Sequence, residues 1–522
     1  MPRQSLLTPR RISVAGLFGA TLALGVLLAR PIRTASIGFD SQVAVVDFTR
    51  LVGGRHIEQL LSTTPKPLLT FIFGPLELLS HDWRTLAWAT LIAFALAVVL
   101  TAELARRIGG TSAWAFVGAG LAGCGALLYD VGFAQAIPWG LLGWSVAGLA
   151  LSAPRPRYGL AGIALLLATL ARLETLLVVG LATVVLIAFQ SPSFRRFAAA
   201  RGIGCPPRRA ALILVAFAAL PIMGLHDLMI YGDPLFWSTV PVRYSAATAR
   251  TILSAPALLR WLVERYLGLW PLVVLGLAGV IGLVRKHAWA VLIGLIAFGP
   301  GMAAFLLYLA ARHIQVPARY AAPIDIAAIL AAGIGTSQIL AEGVARLGKR
   351  IGRRRTGWPG EAAVLATAVA VIVAVAATWP SGVLDPSLQK SVRTSLALAA
   401  DVDQMVPILR EIVDKSPGAR LEPTAIGTSA LLLVPLPYRP RLSIDLDLPL
   451  TIIGDVLPGM SHPDGLPIPG QFVAHDRHSD GSLPVLRPYE TTIVRAANGV
   501  TIVPVASDPR RGWWITEIQA AQ

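Results

Sequence analysis

Charged residues and cysteines are scarce in this sequence. Only 14% of the 522 residues are charged, whereas a soluble globular chain carries about a quarter charged residues. The two cysteines, Cys124 and Cys205, lie in an apolar run and in a basic segment, which argues against a structural disulfide and against metal-type spacing. No Walker motif is present. These absences argue against a soluble protein, a disulfide scaffold and a P-loop nucleotide-binding site.

Hydrophobic residues make up 55% of the chain and recur in long runs. Because a transmembrane helix needs roughly 20 mostly apolar residues, these runs predict a polytopic α-helical membrane protein with about eleven transmembrane helices. The predicted spans are 12–30, 85–103, 113–130, 138–153, 159–172, 174–190, 210–230, 269–284, 288–310, 320–341 and 361–379. The run 67–80 is too short to span a membrane and predicts a helix at the interface. We expect the first helix to be retained, because no clear cleavage site accompanies it.

The distribution of positive charge predicts the orientation of these helices. The net charge is +16, and the Arg and Lys residues cluster in alternate short loops, including the run 346–355. The positive-inside rule makes those loops cytoplasmic, so the N-terminus is expected inside and the C-terminal region outside. The basic residues therefore indicate a lipid bilayer as the partner and argue against nucleic acid. The opposite loops, expected outside, are 31–84, 131–137, 231–268 and 311–319.

The character of the chain changes near residue 380. Proline, aspartate and other polar residues become more frequent, and no further membrane span follows. Residues 398–414 have helical apolar spacing. Short apolar runs between turn signals then predict strands at 423–435, 442–453, 491–495 and 500–505. We therefore expect a transmembrane domain over 1–379 and an extracytoplasmic α/β domain over 380–522.

Asp40 is the main candidate for chemistry in the first outer loop, 31–84. It follows the first predicted helix closely, so its carboxylate would lie just outside the membrane. A carboxylate within about 3 Å of a hydroxyl group can act as a general base. Arg50 and Lys66 lie in the same loop. The alternative interpretation is a solvated loop carboxylate.

Further polar residues fall at other outer helix ends. Arg172 and Glu174 interrupt two apolar runs, where ionisable residues are costly and often functional, although they could also form a helix-end ion pair or mark a break between two short helices. Tyr231 and Asp233 open the loop 231–268, but a Gly-Asp-Pro sequence is first of all a turn signal.

His313, Arg319 and Tyr320 lie between the ninth and tenth predicted helices. The guanidinium of Arg319 suits a lipid-linked phosphate, because it binds phosphate oxygens bidentately. An arginine that extends to lipid head groups is the alternative.

Two further patterns are weak evidence for a ligand-binding site. The Gly-x-Gly-x-x-Gly sequence at 118–123 lies inside an apolar run with no preceding strand, so it indicates helix packing rather than a dinucleotide site. The histidines of 475–478, with His462 nearby, could be drawn as a metal site, but their spacing is generic and favours a surface loop.

Taken together, these segments resemble the GT-C superfamily of polytopic glycosyltransferases, in particular its bacterial arabinofuranosyltransferase- and mannosyltransferase-like members. The matching pieces follow the family order along most of the chain. They are Phe39-Asp40, Arg50, Gly53-Gly54, Thr64-Pro65-Lys66-Pro67-Leu68, Arg172-Leu173-Glu174, the segment 231–238, Arg319-Tyr320-Ala321-Ala322-Pro323 and, in the tail, 424–427, Pro437-Tyr438 and Ile444-Asp445-Leu446.

The resemblance implies a bacterial plasma-membrane enzyme that uses a polyprenyl-phosphate sugar as donor and an envelope glycan or glycolipid as acceptor. It implies inverting transfer with Asp40 as general base. Arg319 and Arg172 would bind the donor phosphate, and Glu174 would position Arg172 or the sugar. The remaining candidate substrate-binding residues are Arg50, Lys66, Tyr231, Asp233, His313 and Tyr320.

The chain also departs from the family pattern. Many members carry two acids where this chain has Asp40 followed by Ser41, so a divalent cation is left open and no metal ligand is predicted. Trp237 and Ser238 replace a Pro-Asn-Thr pattern, so the sugar and the acceptor are not implied.

Two other functions are compatible with the sequence. A lipid or solute transporter usually shows two related halves and mid-membrane ionisable residues, and no such repeat is evident. A non-catalytic subunit for envelope polysaccharide assembly is the other alternative. A cavity shared by Asp40, Arg172 and Arg319 would favour catalysis, whereas an Asp40 that faces bulk water would favour the non-catalytic subunit.

Overall fold

The structure is a computed structural model, and the statements below concern the residues that it describes. These are 9–28, 37–53, 64–201, 204–247, 254–314, 316, 318–351, 386–415, 432–434, 439–446, 448, 453–455, 470–476, 494–495, 500–510 and 513–520.

Most of the first 351 residues form helices that follow the apolar runs. In the first half of this region they are α1 (Pro9–Leu28), α2 (Phe39–Gly53), α3 (Pro67–Ser80), α4 (Arg84–Gly109), α5 (Thr111–Ala122), α6 (Gly125–Gly132), α7 (Ile137–Leu151), α8 (Tyr158–Ala171), α9 (Thr175–Ala188) and α10 (Pro192–Ala199). A 3-10 helix, Arg208–Ala218, then leads into α11 (Ala219–Tyr231), α12 (Phe236–Ala247), α13 (Ala255–Leu267), α14 (Trp270–Arg285), α15 (Trp289–Ile296), a π-helical turn (Ala297–Gly301), α16 (Met302–Ala311), a second 3-10 helix (Ala318–Ala321) and α17 (Ala322–Ile351).

The described chain is a multi-pass membrane protein. Four helical segments within it are long and apolar enough to span a membrane, namely Arg84–Gly109, Arg208–Tyr231, Trp289–Ala311 and Ala322–Glu342. Three bent pairs raise this number to as many as seven: α5 with α6 at 51°, α9 with α10 at 98°, and α13 with α14 at 85°. The predicted number of eleven is not confirmed. Two predicted spans appear as the shorter helices α7 and α8, and the predicted span 361–379 lies outside the described residues.

The glycine pattern at 118–123 has a packing role. Gly118 and Gly120 lie in α5, which ends at Ala122. A Cβ atom at Gly118 would come within 2.8 Å of a Leu17 methyl group, and one at Gly120 within 2.9 Å of Ile329. Small residues let helices approach closely in a membrane, so the packing interpretation of this motif is confirmed.

The two long loops that are expected outside contain four helices, of which the sequence analysis predicted α3, over 67–80, and not the other three. The segment 31–84 includes α2 and α3, and the segment 231–268 includes α12 and α13. In α2, all residues from 41 to 47 are buried. Burial of a whole turn and more, including polar side chains, hides the apolar periodicity by which a surface helix is usually detected.

The tail forms the predicted α/β domain. Helix α18 (Pro386–Lys415) is followed by β1 (Leu432–Val434), α19 (Arg439–Asp445), β2 (Ile453–Asp455), β3 (Phe472–Asp476), β4 (Val494–Arg495), β5 (Val500–Asp508) and β6 (Trp513–Ala520). The sheet order is β2-β1-β3-β6-β5-β4. Strand β1 runs parallel to β2 and β3, and the other pairs are antiparallel.

The core of the tail lies between α18 and the sheet. Val402, Met405 and Leu409 of α18 share a buried cluster with Trp513 and Ile515 of β6. The prediction of a strand over 442–453 is wrong at its start, because Arg439–Asp445 is helical. Strands β3 and β6 were not predicted. The boundary expected near 380 falls in 352–385, outside the described residues.

Candidate active site

Asp40 is a buried residue in the first turn of α2, with 6% of its surface exposed. Its Oδ2 atom lies 3.0 Å from Nζ of Lys66, which immediately precedes α3. A carboxylate at a helix N-terminus is also stabilised by the helix dipole. The interpretation of Asp40 as a solvated loop carboxylate is therefore wrong.

The first turn of α2 is held in place by the segment that follows α6. Gly38 N donates to Phe133 O at 2.9 Å. The Ser41 hydroxyl donates to Ala134 O at 2.7 Å. Asp40 lies between these two anchors, so its backbone position is fixed from both sides.

A second polar group lies one helical turn from Lys66. His226 Nδ1 is 2.9 Å from Asp227 Oδ1, and His226 Nε2 is 3.3 Å from the Thr70 hydroxyl. Trp237 N donates to the other oxygen of Asp227 at 2.7 Å. If Nδ1–H donates to Asp227, Nε2 is left to accept from Thr70. This buried Thr–His–Asp chain links α3, α11 and α12, and the sequence analysis did not single it out as part of the site.

Tyr231 connects α11 to α2. Its hydroxyl donates to Asp47 Oδ1 at 2.6 Å, and its ring stacks on Phe236 with centroids 3.8 Å apart. Asp47 is 1% exposed. Burial raises the pKa of Asp47 from 3.8 to about 6, although His226 and the Tyr231 hydrogen bond act in the opposite direction. Tyr231 therefore has a defined structural partner, and its substrate-binding role stays a prediction.

Arg172 and Glu174 lie at the break between α8 and α9, and Tyr320 contacts Arg172. An ion pair at such a break is the alternative that the sequence left open, so their predicted roles toward the donor stay predictions. Arg172 directly follows α8 and is 6% exposed, and its guanidinium forms an ion pair with Glu174. The guanidinium carbon lies 5.1 Å from the centroid of the Tyr320 ring, in the range of a cation–π contact. Within the described part of the chain, Nε of Arg172 is buried without a hydrogen-bond partner. A buried donor left unpaired is costly, so this atom is available to an acceptor.

One apolar cluster joins the segments that carry Lys66 and Arg172. Leu68 of α3 and Leu173 pack against this cluster together with Trp237. Leu68 lies two residues after Lys66, and Leu173 separates Arg172 from Glu174. The segments that carry the two cations therefore pack against the same small group of apolar side chains.

Asp130 is a buried acid that the sequence analysis did not consider. It lies in α6 and is 0% exposed, and its carbonyl accepts from Gln135 N at 2.7 Å. The segment that begins here is the one that anchors Gly38 and Ser41. An acid at the end of the apolar run 113–130 was the available signal. A second carboxylate thus lies on the element next to the Asp40 turn.

A separate buried ion pair joins α13 to α17. Arg265 Nη2 lies 2.7 Å from Asp325 Oδ2, and the Tyr266 hydroxyl donates to Asp325 Oδ1 at 2.8 Å. Asp325 is close in sequence to Tyr320. Neither Arg265 nor Asp325 was among the predicted site residues.

Three other predicted residues lie in different local surroundings. Asp233 Oδ1 accepts from Leu235 N at 2.9 Å, which is the turn that its sequence indicates. His313 lies exposed in a turn with a φ of 56°. Arg50 is half-buried in the last turn of α2. The side chain of Arg319 lies outside the described part of the structure, so its phosphate-binding role stays a prediction.

Metal-binding groups are a separate question. In the part of the chain that is described, no three His, Cys, Asp or Glu side chains form a group that could hold a metal ion. His475 and Asp476 belong to β3, whereas His462, Arg477 and His478 lie outside the described residues. The divalent cation considered from the sequence is therefore untested.

Comparisons with known proteins add three solved structures. No protein-family model matches the chain, and no curated protein matches it significantly. It is similar to the crystal structure of ArnT from Cupriavidus metallidurans bound to undecaprenyl phosphate, with 14% identity and a TM-score of 0.47 over 95% of this chain and 97% of that one. It is similar to the apo state of ArnT from the same organism as well, with 15% identity and a TM-score of 0.48 over 96% of this chain and 98% of that one.

The third structure is the Archaeoglobus fulgidus oligosaccharyltransferase in complex with Zn and sulfate. It shares 13% identity and a TM-score of 0.48 over 92% of this chain and 72% of that one. The function proposed for this chain rests on its own residues.

Proposed function

We propose that this protein is a membrane glycosyltransferase that moves a sugar from a polyprenyl-phosphate donor to a cell-envelope glycan or lipid acceptor on the extracytoplasmic face. The observation that carries the proposal is the ion pair between the buried Asp40 and Lys66, together with the buried Arg172 on a segment that packs against the same apolar cluster as α3. A potential base and two cations suited to a phosphate thus lie on elements that pack together.

Arg172 and Lys66 are suited to the donor phosphate. The guanidinium of Arg172 offers an unpartnered Nε–H, to which a phosphate oxygen can bind. Lys66 is a compact charge on a flexible stem, so it can move from Asp40 toward the phosphate when the donor arrives. Arg319, as the resemblance implies, would add a further cation.

The reaction follows from this arrangement. An acceptor hydroxyl oxygen attacks the anomeric carbon while the bond from that carbon to the phosphate oxygen breaks. The hydroxyl proton passes to Asp40, and the lipid phosphate leaves with both bonding electrons. The attack comes from the face opposite the leaving group, so the configuration inverts. The cations stabilise the charge that develops on the phosphate in a buried site.

The burial of Asp40 favours catalysis over the non-catalytic subunit, for which an Asp40 in bulk water was expected. ArnT, one of the structures that the chain resembles, is bound to undecaprenyl phosphate. That lipid phosphate belongs to the donor class proposed here, but the proposal does not depend on this likeness.

Direct transfer of a labelled sugar from the donor to an acceptor tests the proposed function. The full chain in lipid nanodiscs would be incubated with a panel of radiolabelled undecaprenyl-phosphate sugars and a delipidated envelope extract as acceptor. Label is expected to move from the lipid to the acceptor with at least one donor. An Asp82→Asn variant is a matched control, because that carboxylate pairs with Arg84 at an exposed position outside the candidate site, and it should transfer at the wild-type rate. Movement of a donor or solute across the bilayer without covalent transfer would instead support a transporter.

A further inference from the structure

The tail domain contacts the helix that carries Asp40. Ile444 of α19 packs against Val43 and Val46 of α2. Trp83, directly before α4, donates its indole N–H to Asp445 Oδ1 at 3.0 Å. Helix α19 therefore lies on the membrane domain at the position of the candidate active site.

Gln42 connects the two domains through a single side chain. It is 5% exposed and lies two residues after Asp40. Its Nε2 donates to Ile37 O at 2.7 Å, and its Oε1 accepts from Arg441 N at 3.1 Å. That N–H belongs to the first turn of α19, where a helix offers its own donors no acceptor. The amide thus ties the chain entering α2 to the tail.

The tail end of this connection is rigid. Arg441 Nε lies 3.0 Å from Asp445 Oδ2, and its Nη2 forms an ion pair with Asp403 of α18. Arg410, also in α18, donates to Asp445 O. Helix α18 is part of the tail core. Because α19 is tied to α18, α19 cannot shift without disturbing the core of the domain.

We propose that Gln42 is a positioning residue through which the docked tail holds the first turn of α2, and with it Asp40, in the geometry needed for proton transfer. This inference rests on the proposed function. Displacement of a reacting group by about 1 Å can cost about a hundredfold in rate. Donor contacts come from Arg172 and Lys66 on other elements, so loss of the Gln42 bridge should reduce kcat and leave the donor KM unchanged.

The experiment compares full-length variants in nanodiscs by hydrogen–deuterium exchange and by sugar transfer. In Gln42→Leu both hydrogen bonds are lost, so exchange of the amides in 38–46 should increase about tenfold, and kcat should fall about tenfold at constant donor KM. Gln404→Leu is the matched control, because Gln404 accepts from Trp513 Nε1 at 3.0 Å entirely within the tail. It should leave the exchange of 38–46 and the kcat unchanged.

A second variant covers the case in which Gln42→Leu does not fold. Gln42→Glu keeps an acceptor for Arg441 N but loses the donor to Ile37 O, so it should increase exchange at 38–41 while the tail contact remains. Wild-type exchange of 38–46 in every folded Gln42 variant would overturn the inference, and so would an equal fall of kcat in Gln404→Leu. Absence of sugar transfer by the wild-type protein would refute the proposed function instead, and the exchange comparison would still decide whether Gln42 holds this turn.

Discussion

Two ion pairs in the membrane domain differ in the chemistry of their cations. In the first pair, Nζ of Lys66 lies 3.0 Å from Asp40 Oδ2 and also donates to Thr64 O at 3.2 Å. In the second, Asp325 accepts from Arg265 at 2.7 Å and from a tyrosine hydroxyl at 2.8 Å. The Arg265 guanidinium also lies over the ring of Trp261, 5.3 Å from its centroid.

This difference indicates two roles for buried charge. A planar guanidinium between aromatic rings and a carboxylate is held in a fixed orientation, whereas a lysine ammonium can be redirected at low cost. The Arg265–Asp325 pair therefore acts as part of the scaffold that joins α13 to α17. The Asp40–Lys66 pair can open when a phosphate competes for Lys66. The predictions below test this distinction.

The largest effect is expected from Asp325→Leu. It leaves the buried Arg265 charge without its carboxylate, and breaking a buried pair in this way costs about 3–5 kcal/mol. Unfolding in detergent micelles, followed by tryptophan fluorescence, would measure the loss. Glu264→Leu is the control on the same helix, because its pair with Arg260 is exposed and should contribute less than about 1 kcal/mol. Equal losses in the two variants would contradict the scaffold role.

Lys66→Met should affect the reaction more than the fold. Loss of a cation beside the phosphate is expected to lower the transfer rate about a hundredfold. The Asp40 carboxylate keeps the favourable N-terminus of α2, so the loss of stability should be smaller than in Asp325→Leu. Transfer assays and unfolding curves of the same preparation would separate the two effects. A variant that is as unstable as Asp325→Leu would assign this pair to the scaffold as well.

Asp47→Asn is expected to have a smaller effect on stability, and this effect depends on pH. Burial raises its pKa from 3.8 to about 6, so the folded state binds this proton more tightly than the unfolded state. The resulting stabilisation is fully present below pH 3.8 and is lost as the pH rises through about 6. Asp47→Asn removes this dependence, so its stability relative to wild type should increase between pH 4.5 and pH 7.5. Thermal midpoints at the two pH values would measure it, and a constant difference would contradict the assignment.

Much of the architecture could be predicted from hydrophobic runs. Helix α4 and the Ala322–Glu342 span match predicted membrane segments closely, because a long apolar run has few alternative structures. The tail was recognised as an α/β domain for the opposite reason, its loss of such runs. The number of spans was harder to predict, because bends such as the 51° angle between α5 and α6 divide an apolar run without a polar interruption.

Only some of the contacts in the candidate site could be predicted from the sequence. The Arg172–Glu174 ion pair was one of the alternatives that the sequence left open, whereas the contact of Arg172 with Tyr320 was not predicted. The Asp40–Lys66 contact was not predicted as a pair, because residues 26 apart in the sequence meet only when α2 and α3 pack. His226 and Asp130 were missed as site residues for a related reason. The role of a single polar residue in an apolar run becomes clear only when its tertiary neighbours are known.

The most direct test of the account is the single-turnover rate of sugar transfer by an Asp40→Asn variant. The variant should fold, and it should bind the undecaprenyl-phosphate donor as the wild-type protein does, because the phosphate contacts are unchanged. Without a carboxylate to accept the proton, the rate is predicted to fall by about 10²–10⁴-fold. A folded Asp40→Asn protein that transfers sugar at the wild-type rate would contradict the role of Asp40 as the base.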